Sequence, residues 1–335
     1  MFLGVWLWVA FAPLAFLDPE YPAWLAKERL LAACDLGDTL ILGDSRAAVD
    51  LMPALLPGRV TNLAVGGGEP IEAYFALRRA LSCPRPPRRV ILSFDAIHFV
   101  RPDLFWERSV AFGFLRPADV RAMLAVSRRL RDPSVARVRL PSWEPARLRA
   151  ALYAARFPTL YFAALAHAGG IMRLWENRQR LAQVLAARGQ YFFGTADGSA
   201  TVAEDAHLRR FRPLPVLDWY FRALIACARA RGIAVDFVAM PMNDATFRTI
   251  DPRVRNKFAD YLAKAANRIR GFRIVGNVMP HWPDRYFGDG FSHLNPEGAR
   301  RFSRGFARWL EAARRTQRPW KTGGRFSMKD AVASR

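Results

Sequence analysis

Residues 39–49 read Thr-Leu-Ile-Leu-Gly-Asp-Ser-Arg-Ala-Ala-Val. An apolar run that ends in glycine is typical of a buried strand, and the residues that follow Ser45 favour the start of a helix. Two similar runs follow over 59–65 and 89–94, and apolar residues at helical spacing lie between them. Strands that alternate with helices predict right-handed crossovers and a parallel sheet with helices on both faces.

The same alternation returns in the C-terminal third of the chain. A helix with one apolar face is predicted over 216–228, and 234–240 and 272–276 are predicted to be strands. Asn295 followed by Pro296 is a strong signal for the start of a helix. We therefore predict an α/β fold with three layers, α/β/α, around a parallel sheet, with no internal repeat.

Residues 1–17 carry no charge. About 20 apolar residues span a bilayer, so we predict a slightly short transmembrane anchor. A cleaved signal peptide is less favoured because no basic region precedes the apolar run and no small-residue cleavage site follows it.

Residues 101–190 interrupt the α/β pattern with many Pro and Arg residues and with apolar residues three and four positions apart. This spacing predicts an inserted helical subdomain, with helices near 118–130, 145–155 and 160–187. The α/β domain then comprises 30–100 and 213–312. Residues 313–335 are predicted to be a basic, disordered tail.

The formal net charge of the 335-residue chain is +22, and only five of its 51 basic residues are lysine. The arginines are spread along the chain, without zinc-finger spacing, an RNA-recognition signature or a single basic helix. We therefore predict no nucleic-acid partner, although the charge alone leaves an anionic polymer open. Cys34, Cys83 and Cys227 are odd in number and far apart, so neither a disulfide framework nor a zinc site is predicted. No cofactor and no metal are expected, because no His, Cys and carboxylate cluster has ligand spacing.

Ligands of parallel sheets gather at the carboxyl ends of the strands. Ser45 follows the first predicted strand, where backbone N–H groups at a helix start favour developing negative charge. Glycines 66–68 follow the second strand and let the backbone approach a substrate closely. His293 lies in the loop before the last predicted helix and is a candidate general base.

These blocks resemble those of the SGNH (GDSL-like) hydrolase family. Gly43-Asp44-Ser45 is similar to the family's first block, 62–67 to the second with its oxyanion glycine, and 293–298 (His-Leu-Asn-Pro-Glu-Gly) to the last. The resemblance covers about 30–100 and 215–310 and implies a flavodoxin-like fold. It also implies Ser45 as nucleophile, His293 as its base and Gly67 as an oxyanion donor.

Two positions depart from the family's pattern. The family's carboxylate lies three residues before the histidine, where this chain has Gly290, so we assign the orienting role to Asp289. The third block, which usually supplies an oxyanion asparagine, reads Ser-Phe-Asp-Ala-Ile-His over 93–98. We therefore assign Asp95, in this block, to the oxyanion and substrate-binding region. Asn62 or a backbone N–H group is the candidate to replace the hydrogen bond of the missing asparagine.

Within the family, the chain is similar to membrane-anchored bacterial envelope proteins related to those that O-acetylate alginate and other exopolysaccharides. The shared features are the apolar N-terminus, 39–46, and Val-Ala-Met-Pro over 238–241. This likeness implies an acylated glycan or small ester as substrate, an inner-membrane anchor and a domain in the periplasm. It leaves open a membrane-bound acyltransferase as partner, hydrolysis or transfer as the reaction, and an inactive variant that serves in glycan binding or assembly.

Overall fold

The computed structural model describes residues 19–102, 105–110, 112–135, 172–269 and 271–315. Helices and strands alternate over much of this part of the chain. In chain order they are α1 (Tyr21–Ala32), β1 (Thr39–Gly43), α2 (Ser45–Asp50), β2 (Val60–Asn62), α3 (Pro70–Ala80), β3 (Arg89–Ser93), α4 (Pro117–Arg129), α5 (Met172–Ala186), α6 (Pro215–Arg229), β4 (Ala234–Val238), β5 (Met242–Asn243), α7 (Asp244–Thr249), α8 (Pro252–Arg268), β6 (Phe272–Val275), β7 (His281–Trp282) and α9 (Pro296–Arg315).

Five strands form a parallel sheet in the order β2-β1-β3-β4-β6, and β5 pairs with β7 in a separate two-stranded sheet. In the register of the larger sheet, Thr39 lies between Val60 and Arg89. The predicted parallel α/β sheet is confirmed, with each strand after the first shorter than predicted. The strand order reverses at β1, which creates a crevice between the ends of β1 and β3, where ligands of such sheets bind.

The side chains of β1 alternate between the two faces of the sheet. Leu40 and Leu42 are fully buried in an apolar cluster with α3, α6 and α8. Ile41, also fully buried, points into a second cluster with α2 and α9. Strands that are apolar on both faces need a helical layer on each side. The two clusters provide these layers, in agreement with the predicted α/β/α order.

A disulfide joins Cys34 and Cys83, whose Cα atoms lie 5.6 Å apart. The prediction of no disulfide was therefore wrong. Cys34 follows α1 and Cys83 follows α3, and the two helices pack into the same apolar cluster, so the cysteines meet although 49 positions separate them in sequence. Spacing alone could not show this contact. Cys227 is a free, half-buried thiol.

The predicted anchor (1–17) and the predicted helix near 145–155 lie outside the described residues. Helix α4 coincides with the helix predicted over 118–130, and α5 covers the C-terminal part of the one predicted over 160–187. Helix α9 continues through Arg315, three residues into the predicted tail. Among the helices that the structure describes, none combines the length and apolar character needed to cross a membrane.

Candidate active site

A cavity of about 410 Å³ opens where β1 and β3 end. Of the residues predicted for the site, Ser45, Gly67, Asp95 and His293 line this cavity. Asn62 does not. Ser45 and His293, almost 250 positions apart in sequence, therefore line the same cavity.

The turn that carries Ser45 is fixed from both sides. A Cβ atom at Gly43 would lie 2.0 Å from the carbonyl oxygen of Ser93, so only glycine lets β1 pass β3 this closely. The side chain of the next residue, Asp44, caps α2 by accepting hydrogen bonds from the N–H groups of Arg46 (3.0 Å) and Ala47 (3.2 Å). Ser45 itself is half-buried at the first position of α2.

Asp44 also ties β1 to β3. Its second carboxylate oxygen accepts the N–H of Asp95 at 2.9 Å and lies 3.5 Å from Nε2 of His98. Burial raises the pKa of Asp44, and the charge of Arg46 and two backbone N–H groups offset part of that rise. The aspartate of the Gly-Asp-Ser block is thus a brace for the strand ends.

Ligand atoms of Asp44, Asp95 and His98 lie within 4.8 Å of one another, close enough to share a cation. However, a guanidinium nitrogen of Arg46 lies 2.7 Å from Oδ2 of Asp95 and already supplies a positive charge there. The arrangement fits an arginine-centred ion network better than a metal centre. The expectation of no metal stays a prediction.

Asp289 reaches the imidazole despite the extra residue between them. Its Oδ2 lies 2.6 Å from Nδ1 of His293, while its Oδ1 accepts the backbone N–H groups of Phe291 (2.8 Å) and His293 (3.3 Å). Burial alone would raise the pKa of Asp289, but the hydrogen bond and charge of His293, with the two N–H groups, bring it below its ordinary value. Asp289 is therefore an anion that orients the histidine.

The extra residue is accommodated at Ser292. This buried residue has φ +60°, a left-handed conformation that non-glycine residues seldom adopt. Its hydroxyl donates to Oδ1 of Asn243 (3.0 Å) and lies 3.1 Å from the hydroxyl of Thr246. The surrounding hydrogen bonds hold the loop in this shape, which brings Asp289 and His293 together.

The imidazole of His293 stacks on Phe193, with ring centroids 4.6 Å apart and planes 22° from parallel. Only 4% of His293 is exposed, and Nε2 has no hydrogen-bond partner among the described residues. Because Nδ1 faces a carboxylate, the proton of a neutral imidazole lies on Nδ1, and Nε2 is the basic nitrogen. Ser45 lines the same cavity but forms no hydrogen bond to His293.

Two backbone N–H groups are available as oxyanion donors. Those of Ser45 and Gly67 donate to no acceptor within the part of the chain that the structure describes. Gly67 has φ +66°, which explains a glycine at this position.

The fully buried amine of Lys27 donates to the carbonyl of Ala64, in the loop that leads to Gly67. Burial lowers the pKa of Lys27 well below its ordinary value.

Asn62 has a structural role, and its assignment as an oxyanion or substrate-binding residue was wrong. The fully buried amide donates to the carbonyls of Ala47 (2.8 Å) and Leu51 (3.0 Å), while its oxygen accepts the N–H of Ala64 at 3.1 Å. These bonds fasten the C-terminal end of α2 to the loop after β2. None of the amide hydrogens points to the cavity.

Arg46 and Asp205 are two residues of the site to which no sequence pattern assigns a role. Arg46 is 4% exposed and pairs with Asp95 at 2.7 Å and with Asp205 at 2.9 Å, and it donates to the carbonyl of Phe291 at 3.4 Å. Burial would lower the pKa of Arg46, but the carboxylates around it raise it. Arg46 thus joins four parts of the site. Asp205 lies in the short helix Glu204–His207, where no motif could have pointed to it.

Asp95, predicted to lie in the oxyanion and substrate-binding region, lines the cavity as the partner of Arg46. Burial raises its pKa to about 7, with Arg46 opposing that rise and Asp44 adding to it. The guanidinium of Arg46, 2.7 Å away, favours the ionised carboxylate, which accepts hydrogen bonds and does not suit an oxyanion donor.

No protein-family model, no curated protein and no solved structure matches this chain. Its class is therefore defined by its own fold and geometry. It is a parallel α/β protein with one cavity lined by a serine after β1 and by a histidine, paired with an aspartate, in the loop before α9; the N–H groups of Ser45 and Gly67 also lie in residues that line this cavity.

Proposed function

We propose that the chain is a serine esterase or O-acyltransferase of the SGNH kind that acts on acyl esters of an envelope glycan. One observation carries the proposal. Asp289 engages Nδ1 of His293 at 2.6 Å, which leaves an unpartnered Nε2 in a residue that lines the same cavity as Ser45. A nucleophile, a base and a group that orients the base are the parts that acyl transfer requires.

The reaction follows from these positions. The hydroxyl oxygen of Ser45 attacks the ester carbonyl carbon, and its proton passes to Nε2 of His293. The negative oxygen of the tetrahedral intermediate accepts hydrogen bonds from the N–H groups of Ser45 and Gly67. The intermediate then collapses, the alcohol oxygen of the sugar leaves with the proton from His293, and the acyl group remains on Ser45.

A second attack completes the cycle. His293 takes a proton from the incoming hydroxyl as its oxygen bonds to the acyl carbon. The bond between the acyl group and Ser45 then breaks, and His293 returns the proton to the serine oxygen. Water as the acceptor gives an esterase, and a sugar hydroxyl gives a transferase. The same residues serve both outcomes, so the proposal covers both.

The disulfide supports a location outside the reducing cytosol. Disulfides persist in oxidising compartments such as the bacterial periplasm. We therefore place the α/β domain in the periplasm, tethered to the inner membrane by 1–17. As a transferase in that location it would receive its acyl group from a donor such as a membrane-bound acyltransferase.

A second candidate function is a glycan-binding or assembly role without catalysis. The observation that favours it is the absence of a hydrogen bond between Ser45 and His293 in the described residues. Catalytic hydrogen bonds are often long in unliganded sites and tighten only with substrate. The esterase proposal therefore takes precedence, and reactivity of Ser45 separates the two.

A fluorophosphonate probe, which labels activated serines covalently, tests the proposal. The wild-type protein should be labelled, whereas Ser45→Ala should not, and His293→Gln should be labelled at least about 100-fold more slowly because general-base catalysis contributes that much or more. The exposed Ser82, outside the cavity, provides the matched control Ser82→Ala, which should be labelled like the wild type. A folded wild type that resists the probe would leave the binding role.

A further inference from the structure

Phe291 is a large apolar side chain at the mouth of the cavity. It lines the cavity while 64% of its surface is exposed, although exposing an aromatic ring to water is unfavourable. Among the described residues, the other exposed large hydrophobic side chains are Trp175, at 62%, and Val202, at 36%. Neither of these lines the cavity.

The exposed ring is mounted on a fixed backbone. The N–H of Phe291 donates to Oδ1 of Asp289 at 2.8 Å, and its carbonyl accepts from Arg46 at 3.4 Å. Its ring centroid lies 6.2 Å from that of His293, with the planes 36° apart. An aromatic face is thus held beside the catalytic base, which makes it a preorganised surface for a ligand.

The charges in the cavity are already paired. Three arginines line it, and each forms an ion pair with a carboxylate that also lines it: Arg46 with Asp95 and Asp205, Arg101 with Glu204, and Arg108 with Glu20. With Glu69, the carboxylates outnumber the arginines in this lining. Although the net charge of the chain is +22, every guanidinium that lines the cavity within the described residues is paired with a carboxylate.

Few of the described residues that line the cavity have apolar side chains. Apart from the glycines, its apolar lining consists of Ile97, Phe193, Ala203 and Phe291. The remaining lining side chains are charged or polar, and removing water from charged groups to bury a long alkyl chain against them is costly. The polar groups instead suit hydroxyls, which both donate and accept.

We propose that Phe291 is the stacking platform of a sugar subsite, and that the subsite takes an uncharged sugar ring and excludes a uronate. The C–H face of a pyranose packs on the electron-rich face of the aromatic ring. Hydroxyls at the ring edge bond to the paired arginines and carboxylates. The inference rests on the proposed function and names the substrate class of that same site.

Hydrolysis of two oligosaccharide acetates tests the subsite, with O-acetylated glucomannan as the uncharged substrate and O-acetylated alginate as the uronate. The wild type should prefer the uncharged one by at least about tenfold in kcat/KM, because a uronate would bring unpaired charge against carboxylates. Phe291→Ala should raise KM for the glucomannan acetate about 3- to 15-fold. Phe291→Trp should restore it, and Phe291→Leu, which keeps apolar area without an aromatic face, should not.

Trp175→Ala is the matched control, because it removes an equally exposed aromatic ring outside the cavity and should leave both KM values unchanged. Rates with p-nitrophenyl acetate report the acyl chemistry without a sugar ring. The loss in kcat/KM caused by Phe291→Ala should be at least about threefold larger on the glucomannan acetate than on this small ester.

Binding to Ser45→Ala, measured by titration calorimetry with deacetylated glucomannan oligosaccharide, tests the subsite independently of catalysis. Weaker binding after Phe291→Ala in this background supports the subsite even if the protein is inactive. A wild type that hydrolyses p-nitrophenyl acetate but prefers alginate, or prefers p-nitrophenyl octanoate, overturns the subsite and leaves the esterase proposal standing. If the probe does not label the wild type and the oligosaccharide does not bind, both proposals are wrong.

Discussion

Replacing Asp289 by asparagine exchanges one carboxylate oxygen for an NH₂ group and preserves the shape of the side chain. The structure determines which oxygen is exchanged. Oδ1 accepts the N–H groups of Phe291 (2.8 Å) and His293 (3.3 Å), so an amide must keep its oxygen there. Its NH₂ group then lies where Oδ2 is now, 2.6 Å from Nδ1 of His293.

An NH₂ group at that position donates to Nδ1 and forces the proton of the imidazole onto Nε2. A protonated Nε2 cannot take the proton of Ser45, so the nucleophile is no longer activated. In a serine protease of unrelated fold, the corresponding change lowers kcat about 10⁴-fold. We expect a loss of about 10³- to 10⁴-fold here, equivalent to about 4 to 5 kcal/mol of transition-state stabilisation.

The assay is the steady-state hydrolysis of p-nitrophenyl acetate together with the rate of fluorophosphonate labelling. Both rates should fall, while KM changes little, because Asp289 does not line the cavity. The exposed Asp197 provides the control Asp197→Asn, which should behave like the wild type. If Asp289→Asn retains activity within about tenfold of the wild type, Asp289 only braces the loop and the tautomer argument is wrong.

The same variant has a pH signature in stability. The pKa of Asp289 lies below its ordinary value of 3.8 in the folded protein, so the ionised carboxylate stabilises the fold above that pH. The stability difference between wild type and Asp289→Asn should therefore be constant near neutral pH. It should shrink as the pH falls below 3.8. Urea unfolding at a series of pH values measures this difference.

Three further predictions concern the scaffold. Asn62→Ala should lower the unfolding free energy by about 3 kcal/mol, because buried carbonyls lose their donor; a 100-fold loss of kcat at unchanged stability would instead restore an oxyanion role. Burial raises the pKa of Glu72 from 4.5 to about 7, so the wild type loses stability as the pH rises between these two values. The stability of Glu72→Gln relative to wild type should therefore increase over this pH range and stay constant at higher pH. A stability difference that does not change with pH contradicts the raised pKa. Replacing Cys34 and Cys83 by alanine should lower the free energy of unfolding by about 4 kcal/mol, because the bridge joins residues 49 positions apart. Urea unfolding measures this loss, and the control Cys227→Ser should change stability little. Equal stability of the double variant and the wild type would show that the bridge does not form.

The strands were predictable from short runs rich in apolar residues, two of which are followed by glycine or proline: β1 ends in Gly43, and Pro241 follows the run that contains β4. β1 was predicted to the residue, since Gly43 must be small where β1 passes Ser93. The predicted strand over 59–65 is regular only over Val60–Asn62, although the N–H groups of Leu63 and Val65 still donate to the carbonyls of Ile41 and Gly43 in β1. Apolar pattern therefore locates strands well and their ends less well.

The site was predictable where local sequence constrains chemistry. Ser45 and His293 belong to recognisable sequence blocks, 43–45 and 293–298, and both line the cavity. Asn62 was misassigned because an asparagine after a strand looks the same in sequence whether it faces a substrate or the carbonyls of a neighbouring helix. Asp205 and the Cys34–Cys83 bridge depend on contacts between distant segments, which no local pattern encodes.

The bridge between Cys34 and Cys83 also sets an order in which the site comes apart on heating. It closes a covalent ring of residues 34–83 that contains both Ser45 and Gly67. His293 lies outside this ring, and the packing of α9 on α2 holds it in place. Fraying of α9 withdraws the base from a nucleophile that stays beside its oxyanion donors. Activity is therefore expected to disappear by detachment of the C-terminal segment, well before the ring itself loses its shape.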